Sequence, residues 1–195
     1  MNRLRKPRAE EIESRLASAP ERFTYEEVGS TRALDAESRA LTGRYDVDRY
    51  EFDLGTGRER FERAREALVA WHHFQIPWVE FYGASSPAHA GQVVGTLVSV
   101  AGLWFFNPCR VVYTELSDAS SDCAAFAYGT LPGHVESGEE RFEVSHDSAT
   151  GGVKYRILAF SRPGIWLTRL GYPATRLFQR RFARWSGDAL RRASA

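Results

Sequence analysis

Residues 124–160 read AAFAYGTLPGHVESGEERFEVSHDSATGGVKYRILAF, a run in which three short segments alternate apolar and polar side chains. A period of two places the apolar members of each segment on one face of a β-strand. Those members are Phe126 and Tyr128, then Phe142 and Val144, then Tyr155 and Ile157. The intervening residues are rich in Gly, Asp and Ser and carry no helical pattern, so the three segments predict consecutive antiparallel strands.

The chain before this run continues the strand pattern. Residues 93–100 form a β-branched run and residues 110–116 alternate, which predicts two more strands of the same meander. Residues 50–54 and 23–28 also alternate and are predicted as strands. The polar residues 30–49 are predicted as a loop with a helical turn.

A helix is predicted between these strands, after the sequence GTG at residues 55–57. Thr56, followed three residues later by Glu59, fits a capping box, in which each residue satisfies a free backbone N–H of the other. Apolar residues then recur at helical spacing until Phe74. These residues are Phe61, Ala64, Leu68 and Trp71. The glycine pair lacks the rest of the dinucleotide fingerprint, so nucleotide binding is not predicted.

Two further helices are predicted near the ends of the chain. Pro173 is tolerated in the first turn of a long C-terminal helix, because its missing N–H would have no partner there. The apolar face of this helix consists of Leu177, Phe178, Phe182, Trp185 and Ala189. A short charged helix is predicted over residues 9–19, where Pro20 ends it.

The order of elements predicts an α+β fold, in which a curved antiparallel sheet wraps around the long C-terminal helix in a helix-grip-like architecture. An antiparallel sheet with one buried face needs a cover, and this helix provides it. Folds of this shape leave an apolar cavity between sheet and helix. With 195 residues the chain suits one domain. We assign residues 1–20 to an N-terminal helical extension and residues 21–195 to the helix-grip-like domain.

Composition limits the classes of function. Aromatic residues make up 13% of the chain, which suits an apolar pocket as well as a core. The basic N-terminus runs into polar residues without the apolar segment of a signal peptide, and the apolar run at residues 93–106 is too short to span a bilayer. We therefore expect a cytoplasmic protein whose cysteines, Cys109 and Cys123, are unpaired thiols.

Charge is unevenly distributed along the chain. The net charge is only +1, yet from residue 162 onward eight arginines accompany a single aspartate. This pattern fits a core-covering helix with a solvated basic side, or a basic face that contacts anionic lipid headgroups. Nucleic acid is disfavoured as a partner, since no nucleic-acid-binding motif accompanies the arginines.

The segment FAYGTLPGH at residues 126–134, with the glutamates that follow it, resembles the domain-of-unknown-function 1990 family. Trp104 with NP at residues 107–108, and AFSRP at residues 159–163, match this family as well. The resemblance extends from about residue 23 into the C-terminal helix. It implies a fold similar to that of the START and birch-pollen-allergen superfamily of lipid carriers and cyclases, and it supplies no catalytic residues.

The hairpin between residues 128 and 140 combines a phenol, an imidazole and carboxyl groups. His134 would act as a general base near neutral pH if a glutamate tuned it. The same glycine- and proline-rich hairpin also fits a purely structural role with solvated glutamates. Glu139 and Glu140 point to opposite faces of a strand, so at most one of them enters the interior.

We predict a ligand-binding set at this polar end and along aromatic walls. It consists of Trp71, Trp104, Tyr113, Tyr128, His134 and Glu139. No cofactor is predicted. No metal is predicted either, because His72 and His73 are adjacent, whereas two metal ligands on a helix would be one turn apart.

Three functions remain open from the sequence. The leading prediction is a binder or carrier of a small apolar or lipid-like ligand in the cavity. The first alternative is an enzyme of the same fold that performs general acid/base chemistry of the cyclase or isomerase type. The second is an interaction module that uses its Arg-rich C-terminal helix, with peripheral membrane contact as one form.

Overall fold

The secondary structure comes from a computed structural model, which describes residues 2–33, 41, 43–84, 87–116, 121–164 and 172–195. In chain order the elements are β1 (Asn2–Arg3), α1 (Ala9–Ala17), a 3-10 helix (Ser30–Ala33), β2 (Asp46–Thr56), α2 (Arg58–Val69), a second 3-10 helix (His72–Phe74), β3 (Val79–Tyr82), β4 (Val93–Val100), β5 (Leu103–Glu115), β6 (Cys123–Thr130), β7 (Glu136–His146), β8 (Gly152–Pro163) and α3 (Tyr172–Ala193).

The strands form one antiparallel sheet. Seven of them pair in the order β2-β8-β7-β6-β5-β4-β3, and the two-residue β1 pairs with the N-terminal end of β5. Strands β4 to β8 are neighbours both along the chain and across the sheet, which confirms the predicted meander. The sheet curls around α3, and this confirms the α+β, helix-grip architecture.

The main core lies between the concave face of the sheet and the helices α2 and α3. Phe126, Phe142 and Tyr155 point inward from β6, β7 and β8 and meet Phe61 and Leu68 of α2. All five side chains are fully buried. Burial of a large apolar side chain stabilises a fold by roughly 1.5–3 kcal/mol, so these residues fix the position of α2 on the sheet.

The N-terminal segment covers the convex face of the sheet. Ile12 of α1 packs against Leu97 and Phe106, and the ring of Tyr25 meets that of Phe160 edge-on, with 5.5 Å between centroids. The sheet is therefore buried on both faces over much of its area. The predicted boundary at residue 20, between extension and domain, stays a prediction.

Residues 23–28 do not form a strand, so this prediction is wrong. The Thr24 N–H donates to the carbonyl oxygen of Thr130 at 3.1 Å, but β6 already pairs with β5 and β7 on its two sides. The segment therefore crosses the convex face instead of extending the sheet. Its alternation reflects Phe23 and Tyr25, which pack on that face.

The prediction of a capping box at the start of α2 is also wrong. Thr56 ends β2, and Gly57, at a φ of 97°, takes the N-cap position. A positive φ strains residues that carry a Cβ, so glycine makes the change from strand to helix. Glu59 instead pairs with Arg63, with 2.7 Å between Oε1 and a guanidinium nitrogen.

Several element boundaries differ from those predicted. The predicted helical turn corresponds to the 3-10 helix at Ser30–Ala33, but β2 begins already at Asp46. Strand β5 begins at Leu103 instead of residue 110, because Ala101 and Gly102 adopt positive φ in a tight turn after β4. The short strands β1 and β3 were not predicted.

Helix α3 is amphipathic, as predicted. Ala189 is buried, and Phe182 and Trp185 pack against the main core, whereas Arg180, Arg181 and Arg184 are exposed. Leu177, which was predicted on the apolar face, is 67% exposed, so this part of the prediction is wrong. In the described part of the chain, no helix combines the length and the apolar character that crossing a bilayer requires.

Candidate functional site

A cavity of about 580 Å³ lies between the concave face of the sheet and the N-terminal half of α3. This volume falls within the range of small-molecule binding sites. Phe178 and Phe182 of α3 line it on the helix side, and residues of β2 and of β4 to β8 line it on the sheet side. The cavity thus occupies the place where the sequence predicts one.

The walls of the cavity are apolar over most of their area. They include Val79, Val98, Val100, Phe105, Phe178 and Phe182. The sheet residues among them are inward-facing members of their strands. The alternation that builds the main core therefore continues into this region, where the side chains surround space instead of one another.

The polar end of the cavity is built by the hairpin between β6 and β7. Tyr128 and Glu140 are directly opposite in the strand register, and the Tyr128 hydroxyl donates to Glu140 Oε2 at 2.7 Å. Glu136 lies on the same face of β7, and both of its carboxyl oxygens accept from Nε2 of Gln179 in α3, at 2.7 Å. The hairpin and α3 together hold two carboxyl groups and a phenol at this end.

Burial raises the pKa of the Glu136 and Glu140 carboxyl groups to about 7 each. The hydrogen bond from Gln179 to Glu136 and that from Tyr128 to Glu140 partly oppose this effect. The charge of Glu136 raises the pKa of Glu140 further. Carboxyl groups that change charge near neutral pH inside a cavity are candidates for ligand binding or proton transfer.

His134 stands at the same end in its neutral form. Burial lowers its pKa to about 4. The backbone N–H of Glu136 lies 2.9 Å from Nδ1, and the Glu136 carbonyl oxygen lies 3.1 Å from the same nitrogen. With this pKa, His134 is a weaker base than the sequence suggests.

An ion pair ties α3 to the edge of the sheet beside the cavity. Arg176 binds both carboxyl oxygens of Asp48 in β2, each at 2.5 Å. This bidentate arrangement satisfies Asp48 within the protein. The carboxyl groups left to face the cavity are those of Glu136 and Glu140.

Three of the six predicted ligand-binding residues border the cavity, namely Tyr128, His134 and Glu139. Tyr128 and His134 belong to its polar end. Glu139 contributes to the wall, but its carboxyl group turns to the convex face and accepts a hydrogen bond from Tyr25 at 2.7 Å. The prediction that Glu139 and Glu140 point to opposite faces of the strand, so that at most one enters the interior, agrees with these contacts. The carboxyl group that faces the cavity is that of Glu140 and not that of Glu139.

The other three predicted residues lie elsewhere. Trp71 packs inside the main core against Phe126, with 4.7 Å between ring centroids. Trp104 belongs to the convex-face cluster around Ile12. Tyr113 also serves the convex face, where its hydroxyl bonds to that of Thr31. None of these three residues lines the cavity, so their prediction as ligand-binding residues of this cavity is wrong.

Glu136 and Glu140 are candidates from the sequence only as carboxyl groups that tune His134, and the predicted ligand-binding set contains Glu139 in their place, although the signal for both was present. Both share the parity of Phe142 and Val144, which are the inward-facing apolar residues of β7. Extending that parity toward the hairpin assigns the two glutamates to the concave face.

A second polar cluster, here called the outer network, lies on the convex face. Its members are Tyr25, Gly29, Thr31, Tyr113, Glu139 and Arg141. Glu139 accepts from the Tyr25 hydroxyl and the Gly29 N–H, both at 2.7 Å, and from the N–H and hydroxyl of Thr31 at 3.0 and 2.5 Å. Tyr113 extends this chain from Thr31 to Arg141.

The remaining histidine and cysteine side chains considered as reactive groups, those of His73, Cys109 and Cys123, are buried or partly buried. Within the described residues, no cluster of three or more His, Cys, Asp or Glu side chains could hold a metal ion. His73 is fully buried among aromatic rings, and burial lowers its pKa to about 3. Burial raises the pKa of the Cys109 thiol, and that of Cys123 to about 11, so both are protonated and inert at neutral pH.

Comparison of sequences identifies relatives over most of the chain. The family model described as a domain of unknown function, DUF1990, matches residues 24–189. A UPF0548 protein of Dictyostelium discoideum is 42% identical over 146 residues, which cover 71% of this chain and 68% of that protein. A UPF0548 protein of Deinococcus radiodurans is 33% identical over 202 residues, which cover 98% of each.

Comparison of structures identifies proteins of similar fold. The hypothetical protein jhp0584 from Helicobacter pylori aligns with a TM-score of 0.55 and 12% identity, over 81% of this chain and 94% of that one. The protein TTHA0849 from Thermus thermophilus aligns with a TM-score of 0.52 and 10% identity, over 76% of this chain and 97% of that one. At these identities the likeness concerns the fold alone.

Proposed function

The chain belongs to the DUF1990 family, and we propose that it binds a small, mainly apolar ligand in the cavity between the sheet and α3. The observation that carries this proposal is the cavity itself, about 580 Å³ with apolar walls and one polar end. Side chains in a protein interior normally pack to the density of an organic crystal. A space of this size beside a well-packed core is therefore best explained by an occupant.

A fluorescent apolar probe, N-phenylnaphthylamine, tests this proposal. Val98 lines the cavity, so Val98→Phe should fill part of it and weaken probe binding by about tenfold or more. Val28→Phe makes the same change at an exposed position and serves as the control. Native mass spectrometry of the purified protein should in addition detect a co-purified small molecule. If the probe does not bind, or binds both variants equally, the ligand does not occupy this cavity.

A second candidate is an enzyme of the same fold, and one observation favours it. Glu140 has a pKa of about 7 and lies in hydrogen-bond contact with the Tyr128 phenol at the cavity wall. A carboxyl group with this pKa would donate or accept a proton near neutral pH.

The test for an enzyme uses the molecule that co-purifies with the protein. Incubation in deuterated buffer should exchange a carbon-bound hydrogen of that molecule, and Glu140→Gln should abolish this exchange while binding persists. Binding without exchange would leave the protein a carrier.

Peripheral membrane contact through α3 is a further proposal about partners. Leu177 is 67% exposed on this helix, and Arg180, Arg181 and Arg184 are exposed as well. An apolar side chain flanked by cations suits an anionic bilayer surface.

Sedimentation with vesicles that contain phosphatidylserine tests this contact. Reversal of the three exposed α3 arginines to glutamate should abolish binding. The same reversal at Arg5, Arg8 and Arg22, which are exposed on the N-terminal segment, should have little effect. Binding that survives the α3 reversal and is insensitive to salt would refute a role for α3.

A further inference from the structure

Among the described residues, the charged side chains that line the cavity are all acidic. Its titratable lining includes the carboxyl groups of Asp48, Glu136 and Glu140, whereas the described lining residues include no lysine or arginine. Arg176 stands just outside and is bound by Asp48. The charge of Arg176 lowers the pKa of Glu136, but no salt bridge joins Glu136 or Glu140 to a cation in the described residues.

These two carboxyl groups have unused capacity to accept hydrogen bonds. A carboxylate has about four acceptor sites. Glu140 receives the Tyr128 hydroxyl on Oε2. Glu136 receives the single Nε2 of Gln179 on its two oxygens, and a hydrogen bond with the Ser161 side chain as well. His134 is neutral and supplies no charge to compensate them. The polar end is therefore an acceptor site of negative sign when the glutamates are ionised.

We propose that the ligand carries a positively charged amine, which binds between Glu136 and Glu140 while its apolar part lies along the valine and phenylalanine walls. This inference rests on the proposed function and adds the class of ligand. An ammonium group would donate charge-assisted hydrogen bonds to both carboxylates, and the faces of Tyr128 and Phe182 would add attraction for the cation. A ligand carboxylate would instead add like charge and would be excluded.

Competition between three ligands of equal chain length tests this class. Octylamine, octanol and octanoate each displace N-phenylnaphthylamine from the protein near neutral pH. Octylamine should bind about tenfold more tightly than octanol, because a hydrogen bond to a charged group is worth about this much, and octanoate should bind more weakly than octanol. Octanol binding as tightly as octylamine would overturn the amine proposal and leave the apolar cavity standing. If neither the probe nor octanol binds, both proposals fail together.

Variants of the two glutamates locate the amine. Glu136→Gln, Glu140→Gln and the double variant keep the side-chain volume and remove the charge, so they should lose the preference for octylamine over octanol. Glu21→Gln, at an exposed position, is the control and should keep the preference. If the double variant still prefers octylamine, the amine binds elsewhere and the proposal is wrong. Near-UV circular dichroism checks that each variant keeps the native packing.

Discussion

Glu139 and Glu140 are neighbours in β7 whose carboxyl groups have opposite surroundings. Glu139 points to the convex face, where four donors of the outer network satisfy it. Glu140 points to the cavity, where the Tyr128 hydroxyl is its one side-chain donor in the described residues. A buried carboxylate that the protein satisfies fully holds structure together, whereas one that it satisfies only in part remains available to a ligand.

Each glutamate meets a tyrosine, but by a different route. On the concave face Tyr128 is directly opposite Glu140 in the register, and its own side chain supplies the hydroxyl. On the convex face the residue opposite Glu139 in the register is Gly129. Gly129 has no side chain, and Tyr25, from a distant part of the chain, packs over it. The inner pair is therefore local to one hairpin, and the outer pair fastens the N-terminal segment to the sheet.

The largest effect is expected for Glu139→Ala. This change leaves the Tyr25 hydroxyl, the Gly29 N–H and both Thr31 donors without their acceptor, which should lower the free energy of unfolding by about 3–5 kcal/mol. Urea denaturation near neutral pH measures it. Glu21→Ala at an exposed position is the control and should change stability by less than about 0.5 kcal/mol. A loss below about 1 kcal/mol for Glu139→Ala would show that the outer network does not fasten the segment.

For Gly129→Ala we expect the free energy of unfolding to fall by a smaller amount, about 2–4 kcal/mol. A Cβ at this position would collide with the Tyr25 hydroxyl and would stand 2.9 Å from a ring carbon of Phe23. Tyr25 would have to leave Glu139, so hydrogen exchange of the amides between residues 23 and 31 should accelerate along with the loss of stability. Gly152→Ala, where the nearest obstacle is the flexible Thr150 side chain at 3.2 Å, is the matched control. Equal stability of the two variants would contradict the role given to Gly129.

The contrast between the two faces also explains what the sequence could predict. Alternation predicts β6, β7 and β8 because their inward residues are large and apolar, and the same parity places Glu140 with Phe142. Parity does not predict what covers the other face. Residues 23–28 alternate like a strand, although they cross the convex face of the sheet without joining it. Tyr113 and Trp104 resemble aromatic residues of a pocket, because they are large aromatic residues on a sheet face that would ordinarily be exposed to solvent. A sheet buried on both sides removes the polar–apolar contrast by which a sequence distinguishes its faces.

The cavity was predictable only as an expectation of the architecture. Its polar end depends on Gln179 of α3 reaching Glu136, a contact between residues 43 positions apart. Local periodicity contains no information about such a pairing, because it depends on how far along the sheet the helix docks. The hairpin that contributes Glu136 and Glu140 can therefore be predicted from the sequence. The position of α3 against it, which completes the candidate site, can be seen only in the structure.

An effect similar in size to that of Gly129→Ala is expected for Glu140→Gln, and its sign is opposite to that of Glu139→Ala. Burial raises the pKa of Glu140 from its ordinary value of 4.5 to about 7. Between these two pH values the unfolded chain releases a proton that the folded protein keeps, so the wild-type protein loses stability as the pH rises through this window and stays at the lower level above it. Glutamine cannot ionise and still accepts from Tyr128.

Glu140→Gln should therefore match the wild type at about pH 4 and exceed it by about 3 kcal/mol at about pH 8. Urea denaturation across this range measures the difference, with Glu21→Gln as the control. Tyr128, Glu136 and Asp48 face Glu140, and Tyr155 and Cys109 interact with it as well. The like charges of Glu136 and Asp48 act in the same direction as burial. A variant that is less stable than the wild type at about pH 8 would mean that the protein already satisfies the Glu140 carboxylate as fully as it does that of Glu139, and the negative end of the cavity would then have no need of an amine.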